Sequence, residues 1–259
     1  MHKILNFEVL GEDNGGKPVI IAHGLFGSLK NWRSIAKYLA HEGYQVIICD
    51  MRNHGLSFWD DSHRYEDMAD DLRSVIAKFG GVASVIGHSM GGKAAMMLAL
   101  LYPTYVHKLA IVDIAPVTYK HNQANNIDAL ESIDLRFVKS RQEFSKKLGA
   151  KIGDPMLINF FCQSVDFSDP FQSKWFLNLR ALKKNLPAIM SFPNSQLRNL
   201  GPTLIVRGAI SDYIRDEYRS VLKNYFPNFF LETVENASHW LHTEKPKEFR
   251  EKLTNFLKL

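Results

Sequence analysis

The segment Ser84-Val85-Ile86-Gly87-His88-Ser89-Met90-Gly91-Gly92 decides the fold of this chain. Its apolar beginning reads as the end of a strand. Its end opens a run, Met90 to Leu101, that reads as a helix closed by Pro103. A G-x-S-x-G pattern between strand and helix demands a sharp turn. At the apex Ser89 takes a strained conformation that lifts its hydroxyl above the sheet, while Gly87 and Gly91 lack the Cβ atoms that would keep strand and helix apart. The helix then directs its free N–H groups toward negative charge developing beside that hydroxyl. The plainer alternative, a serine N-cap in a glycine-rich turn, needs none of the partners that the rest of the chain supplies.

Outward from this turn the pattern is βαβ. Ile4 to Leu10 and Pro18 to Ala22 read as two strands separated by the turn-forming GEDNGG. A helix follows near Trp32 to Ala40, ended by Gly43, and then the strand Tyr44 to Cys49. Residues 65–79 place Met68, Leu72, Val75, Ile76 and Phe79 at helical spacing. Lys108 to Val112 is the next strand, ending at Asp113. Near-continuous apolar strands alternating with amphipathic helices predict an open, mainly parallel sheet covered on both faces. Ligands of such sheets sit beyond the carboxyl ends of the strands.

The rhythm stops over residues 116–200. Helices are expected around 127–139, 140–149, 154–163 and 173–185, with no convincing strand, so an all-helical cap (116–200) is expected on a core formed by 1–115 and 201–259. Strands resume at Thr203 to Val206 and near Phe229 to Val234, and Pro246 to Leu259 reads as a closing amphipathic helix. Phe160, Phe161, Trp175, Phe176 and Leu177 are expected to form cap core and, in part, an apolar surface suited to an acyl chain.

A serine hydroxyl needs a base, and the base an orienting acceptor. His239, just beyond the last strand, is the candidate base, with His242 as competitor. His88 adjoins the serine but is not free to face it. Asp113, at the end of one strand, and Asp212, after a later one, are both candidate acids. The loop His23-Gly24-Leu25-Phe26-Gly27 follows the strand ending at Ala22 and can bring a backbone N–H beside the turn. Leu25 and Met90 are the expected donors to an oxyanion, with Phe26 as the alternative to Leu25. His23, Asp50, Arg52 and His54 read as loop organisers.

With these segments in place, HGLFGSLKNW, DMRNHGLS, GHSMGGKAAM, VDIAPV and the RG-plus-SDY stretch together resemble the α/β-hydrolase superfamily. The resemblance is to its small esterase branch of bacterial acyl-ester and acyl-CoA esterases and abhydrolase-domain-11-like proteins, and it spans the whole chain. It implies a mostly parallel, eight-stranded-type sheet with the cap inserted before the last two core strands. Most members of the superfamily carry the acid three residues after the glycine that ends the penultimate core strand. Here that position is Ser211, which has no carboxylate. The resembled branch implies Asp113 as the acid and Ser211 as a supporting contact, with Asp212 retained as the alternative.

The implied chemistry is hydrolysis of short to medium acyl esters, or of acyl-CoA thioesters, through an acyl-enzyme, with no metal or organic cofactor. The alternatives are acyl transfer to an alcohol and a non-catalytic ligand-binding role. The net charge of +5 is spread among acids rather than gathered into a basic patch, which argues against nucleic acid and leaves a mild preference for anionic substrates. Cys49 and Cys162 lie in apolar surroundings, as buried free thiols do. With no signal-peptide pattern and no apolar run of membrane-spanning length, a cytoplasmic protein is expected.

Overall fold

A computed structural model describes residues 3–120, 123–169 and 171–259; residues 1 and 2, and residues 121, 122 and 170 of the expected cap, lie outside that description. The strands are β1 (Phe7–Leu10), β2 (Val19–Ala22), β3 (Val46–Cys49), β4 (Ala83–His88), β5 (Val106–Val112), β8 (Thr203–Gly208) and β9 (Phe229–Val234). They form one seven-stranded sheet in the order β1-β3-β2-β4-β5-β8-β9. Every pair is parallel except β1 with β3, so the first strand does not form a hairpin with the second but crosses to the outer side of β3. Seven strands stand where the resemblance implied eight, because a single antiparallel strand precedes the parallel run among the described residues.

Side-chain alternation along each strand divides the interior in two. Ile20, Ile47, Val85, Leu109, Ile111 and Ile205 face α2 (Tyr65–Lys78) and α3 (Met90–Leu101). Val19, Ile21, Ile48, Ile86, Val112 and Val206 face α1 (Arg33–His41) and α11 (Pro246–Lys258). Helix α3 is apolar nearly all round because it is buried nearly all round, and its one charge, Lys93, is buried as well.

The insertion contains α4 (Ala124–Glu131), α5 (Arg141–Gly149), α6 (Pro155–Phe161), α7 (Leu179–Lys184) and α8 (Leu186–Met190). It is not all-helical. β6 (Val165–Asp166) and β7 (Lys174–Trp175) pair antiparallel as a small ribbon. The expected 173–185 helix therefore starts only at Leu179, where the Asn178 side chain accepts the Ala181 N–H and the Asn178 N–H donates to Asn53 O on the core. Likewise the 127–139 helix stops at Glu131. Ser132 Oγ donates back to Ala129 O, and Asp134 starts a separate turn by accepting the Arg136 N–H. After the insertion come α9 (Arg219–Tyr225), β9, α10 (Leu241–Glu244) and α11.

Candidate active site

Ser89 stands between β4 and α3 with φ 53° and ψ −120°. Such a conformation costs about 1–3 kcal/mol in a non-glycine residue and persists only where the surroundings enforce it. Here they do: a Cβ on Gly91 would lie 2.4 Å from Ala22 O, and one on Gly87 would lie 2.3 Å from Gly91 O. Phe26 and Asp113 also have positive φ, 64° and 50°, so backbone strain gathers at the carboxyl ends of β2, β4 and β5.

Ser89 opens into a cavity of about 540 Å³ shared with His239, Leu25 and Met90 and walled on the far side by Leu157, Phe160 and Phe161 of the insertion. Trp175, Phe176 and Leu177 do not line it. Trp175 packs edge-on against Phe144, Phe176 lies beneath Lys30, and Leu177 is buried.

Asp113, fully buried, accepts the Gly208 N–H at 3.0 Å through Oδ1. Its Oδ2 accepts from Ser211 Oγ and from His239 Nδ1, the latter at 2.8 Å. With Nδ1 so engaged, Nε2 is the ring nitrogen left to receive a proton. Asp212 points elsewhere: its side chain is 87% exposed, and its nearest charge is Arg215 at 3.8 Å. His242 is buried and stacked on Trp32 at 4.4 Å, where burial and then the neighbouring His239 push its imidazole down to about 3.

The loop after β2 is held by histidines. Phe26 donates its N–H to His54 Nε2 at 3.1 Å, and His54 Nδ1 donates to Arg52 O. His23 Nε2 accepts the Met51 N–H, so its Nδ1 carries the proton and donates to Gly24 O. Asp50 accepts the N–H groups of Leu29 and Leu56, and Arg52 pairs with Asp71 at 2.6 Å. Burial holds His23 and His54 below the ordinary histidine range, as neutral bridges. Phe26 spends its N–H on His54, whereas Leu25 and Met90, which also line the cavity, make no such bond to a histidine. Met90 opens α3 and has no acceptor one turn back.

Sequence reasoning assigned no role to several neighbours. His88 Nε2 donates to the His239 carbonyl at 2.9 Å and so anchors the loop that carries the candidate base. Tyr213 stacks on the His239 ring, with centroids 3.9 Å apart and planes at 19°. Lys93 donates to Val117 O, Met190 O and Ser191 O, tying both ends of the insertion to α3, and burial pushes its ammonium down to about 7. A single lysine inside an otherwise apolar helix was the visible signal for that clamp. The stack had none, because 26 residues separate Tyr213 from His239 in the chain.

A family model described as alpha/beta hydrolase fold matches residues 17–151. The chain belongs to the α/β-hydrolase family. It is 35% identical to the sn-1-specific diacylglycerol lipase ABHD11 of Mus musculus over 98% of this chain and 85% of that protein. It is 33% identical to a probable alcohol acetyltransferase of Saccharomyces cerevisiae, over 93% of this chain and 77% of that one. Among solved structures, a marine microorganism esterase superposes with a TM-score of 0.94 at 37% identity, covering 98% of this chain and all of that one. Within the family the chain falls in the esterase branch that includes the ABHD11-like proteins, and it is a serine-type carboxylic-ester hydrolase. No helix among the described residues is long and apolar enough to cross a membrane.

Proposed function

We propose that this esterase cleaves small to medium, uncharged acyl esters, with Ser89 as nucleophile, His239 as general base and Asp113 as the acid that orients it. The observation that carries the reading is the 2.8 Å bond from the buried Asp113 carboxylate to Nδ1 of His239, a ring that lines the same cavity as strained Ser89. His239 Nε2 takes the Ser89 proton as Oγ attacks the ester carbonyl, and the N–H groups of Leu25 and Met90 receive the resulting oxyanion. The imidazolium returns its proton to the departing alcohol, leaving an acyl-enzyme. Water, deprotonated by the same ring, then releases the acid and free Ser89. Ser211 supports Asp113, and residues 116–200 act as the cap over a core of 1–115 and 201–259.

The cavity's charge argues for a neutral substrate over acyl-CoA. Asp154 and Glu244 line it, Asp212 borders it with its side chain in solvent near Arg215, and Lys93, whose protons already sit on three carbonyls, is the one Lys or Arg among the described lining residues. The overall excess of positive charge therefore lies away from the site, and a leaving group carrying several phosphates meets like charge on entry. Acyl transfer is the second reading, favoured by the likeness to the yeast protein. An alcohol in place of water would complete the same cycle. The buried free thiols of Cys49 and Cys162 support a reducing compartment, the cytoplasm.

The test is a panel of p-nitrophenyl esters and acyl-CoAs on wild type and Ser89→Ala, with fluorophosphonate labelling of both. Turnover and labelling lost together in S89A support the assignment. Turnover retained by a folded S89A overturns it. Added ethanol that diverts product from acid to ethyl ester would favour transfer.

A further inference from the structure

We infer that Tyr213, braced by Tyr119, is a positioning residue for hydrolysis: its ring supports the charged, imidazolium form of His239 that arises in each proton transfer. This rests on His239 being the base, as proposed above.

The imidazole has neighbours on every side. Asp113, at the end of β5, holds Nδ1. The Tyr213 ring, from the loop after β8, covers one face at 3.9 Å and 19°. The His88 ring lies 4.6 Å away at 38°, and Trp240 meets it at 72°. His88 and His242 are both held neutral by burial, so neither adds positive charge beside the base. Of the remaining acids nearby, Glu244 accepts from Ser238, and Asp212 points into solvent near Arg215. Once Nε2 takes the Ser89 proton, the new cation lies face-to-face with the electron-rich phenol ring of Tyr213, an arrangement that favours charged over neutral imidazole.

Tyr119 makes this contact rigid. Its OH accepts the Ala115 N–H at 2.8 Å and donates to Tyr213 O at 2.7 Å, and its ring packs on Tyr213 at 5.2 Å. One phenol thus ties the loop that follows Asp113 to the loop that carries Tyr213. The carboxylate and the aromatic plate, which approach His239 from different strands, are fixed relative to one another.

The experiment compares wild type, Tyr213→Phe, Tyr213→Leu and Tyr119→Phe on p-nitrophenyl butyrate across pH 5–9, with thermal unfolding to check folding. Y213F keeps the aromatic face and should stay within about twofold of wild type. Y213L fills similar space without it and should lose about tenfold in kcat with KM nearly unchanged. In Y213L the acid limb of kcat/KM should also move to lower pH. Y119F should lose about threefold in kcat, a smaller loss than Y213L. A rise in KM at constant kcat would make Tyr213 a substrate wall, and an acid limb moving to higher pH would mean the ring acts only by excluding water. Either overturns the inference, as does a folded Y213L with wild-type kinetics. If wild type itself turns over no ester, the site assignment fails instead.

Discussion

Lowering the pH from 8 to 5 should destabilise this protein by about 4 kcal/mol through two histidines alone. His63 and His242 are buried, and burial first, then Arg52 beside His63 and His239 beside His242, hold each imidazole down to about 3. His63 Nδ1 accepts from Asn53, and its ring lies against Met90 Sδ at 3.2 Å; His242 lies flat on Trp32. In the unfolded chain both titrate near 6.5. Between about 6.5 and 3 the unfolded chain therefore binds protons that the folded one refuses. The stability contributed by the neutral rings is whole above 6.5 and lost progressively as pH falls to 3. At pH 5 this amounts to about 2 kcal/mol per ring, against a total of roughly 5–15 kcal/mol for a domain. His23, His54 and His88 are displaced in the same direction and add to the loss. Urea unfolding followed by tryptophan fluorescence at fixed ionic strength reads the effect: with a slope of about 3 kcal/mol per molar, the midpoint falls by about 1.3 M from these two rings. His242→Phe keeps the stack on Trp32 and deletes Nδ1, a buried atom without a hydrogen-bond partner among the described residues. It should gain about 1 kcal/mol at pH 8 and shrink the acid loss by about 2 kcal/mol. Equal midpoints at pH 8 and 5, or an unchanged pH dependence in H242F, would refute the reasoning.

Asp113→Asn should lower kcat by about 10³–10⁴-fold, whereas Asp212→Asn should stay within about twofold, since its carboxylate is exposed and sits beside Arg215 while Asp113 holds the ring. Steady-state kinetics on one ester distinguishes them. His54→Ala strips the acceptor from the Phe26 N–H and loosens the oxyanion loop, so kcat should fall roughly ten- to hundredfold while fluorophosphonate labelling slows in parallel. A Cβ on Gly208 would meet Ser238 O at 2.3 Å and Ala237 O at 2.4 Å, so Gly208→Ala should push the His239 loop outward. It should cost about a hundredfold in kcat/KM, with turnover and melting temperature measured on the same preparation.

The sheet and its flanking helices were legible because they rest on local signals: runs of β-branched residues, helical spacing of apolar side chains, and a turn pattern that only one backbone path satisfies. Met90–Leu101 was readable to the residue for that reason. The insertion was harder to read. Val165–Asp166 and Lys174–Trp175 are too short for periodicity to register, and the late start of α7 depends on Asn178 reaching Asn53, 125 residues away.

By itself the sequence determined the strained serine turn, the histidine after the last strand and the glycine-containing loop after β2, because each is a short segment whose residue types dictate its own backbone. It left two carboxylates as candidates for one imidazole. Only the tertiary structure brought Asp113 to His239, sent Asp212 into solvent, laid Tyr213 on the ring and turned the net positive charge away from the cavity. Those outcomes are set by how β5, β8 and the segment after β9 line up side by side, and lateral alignment of distant strands depends on contacts that no local stretch of chain contains.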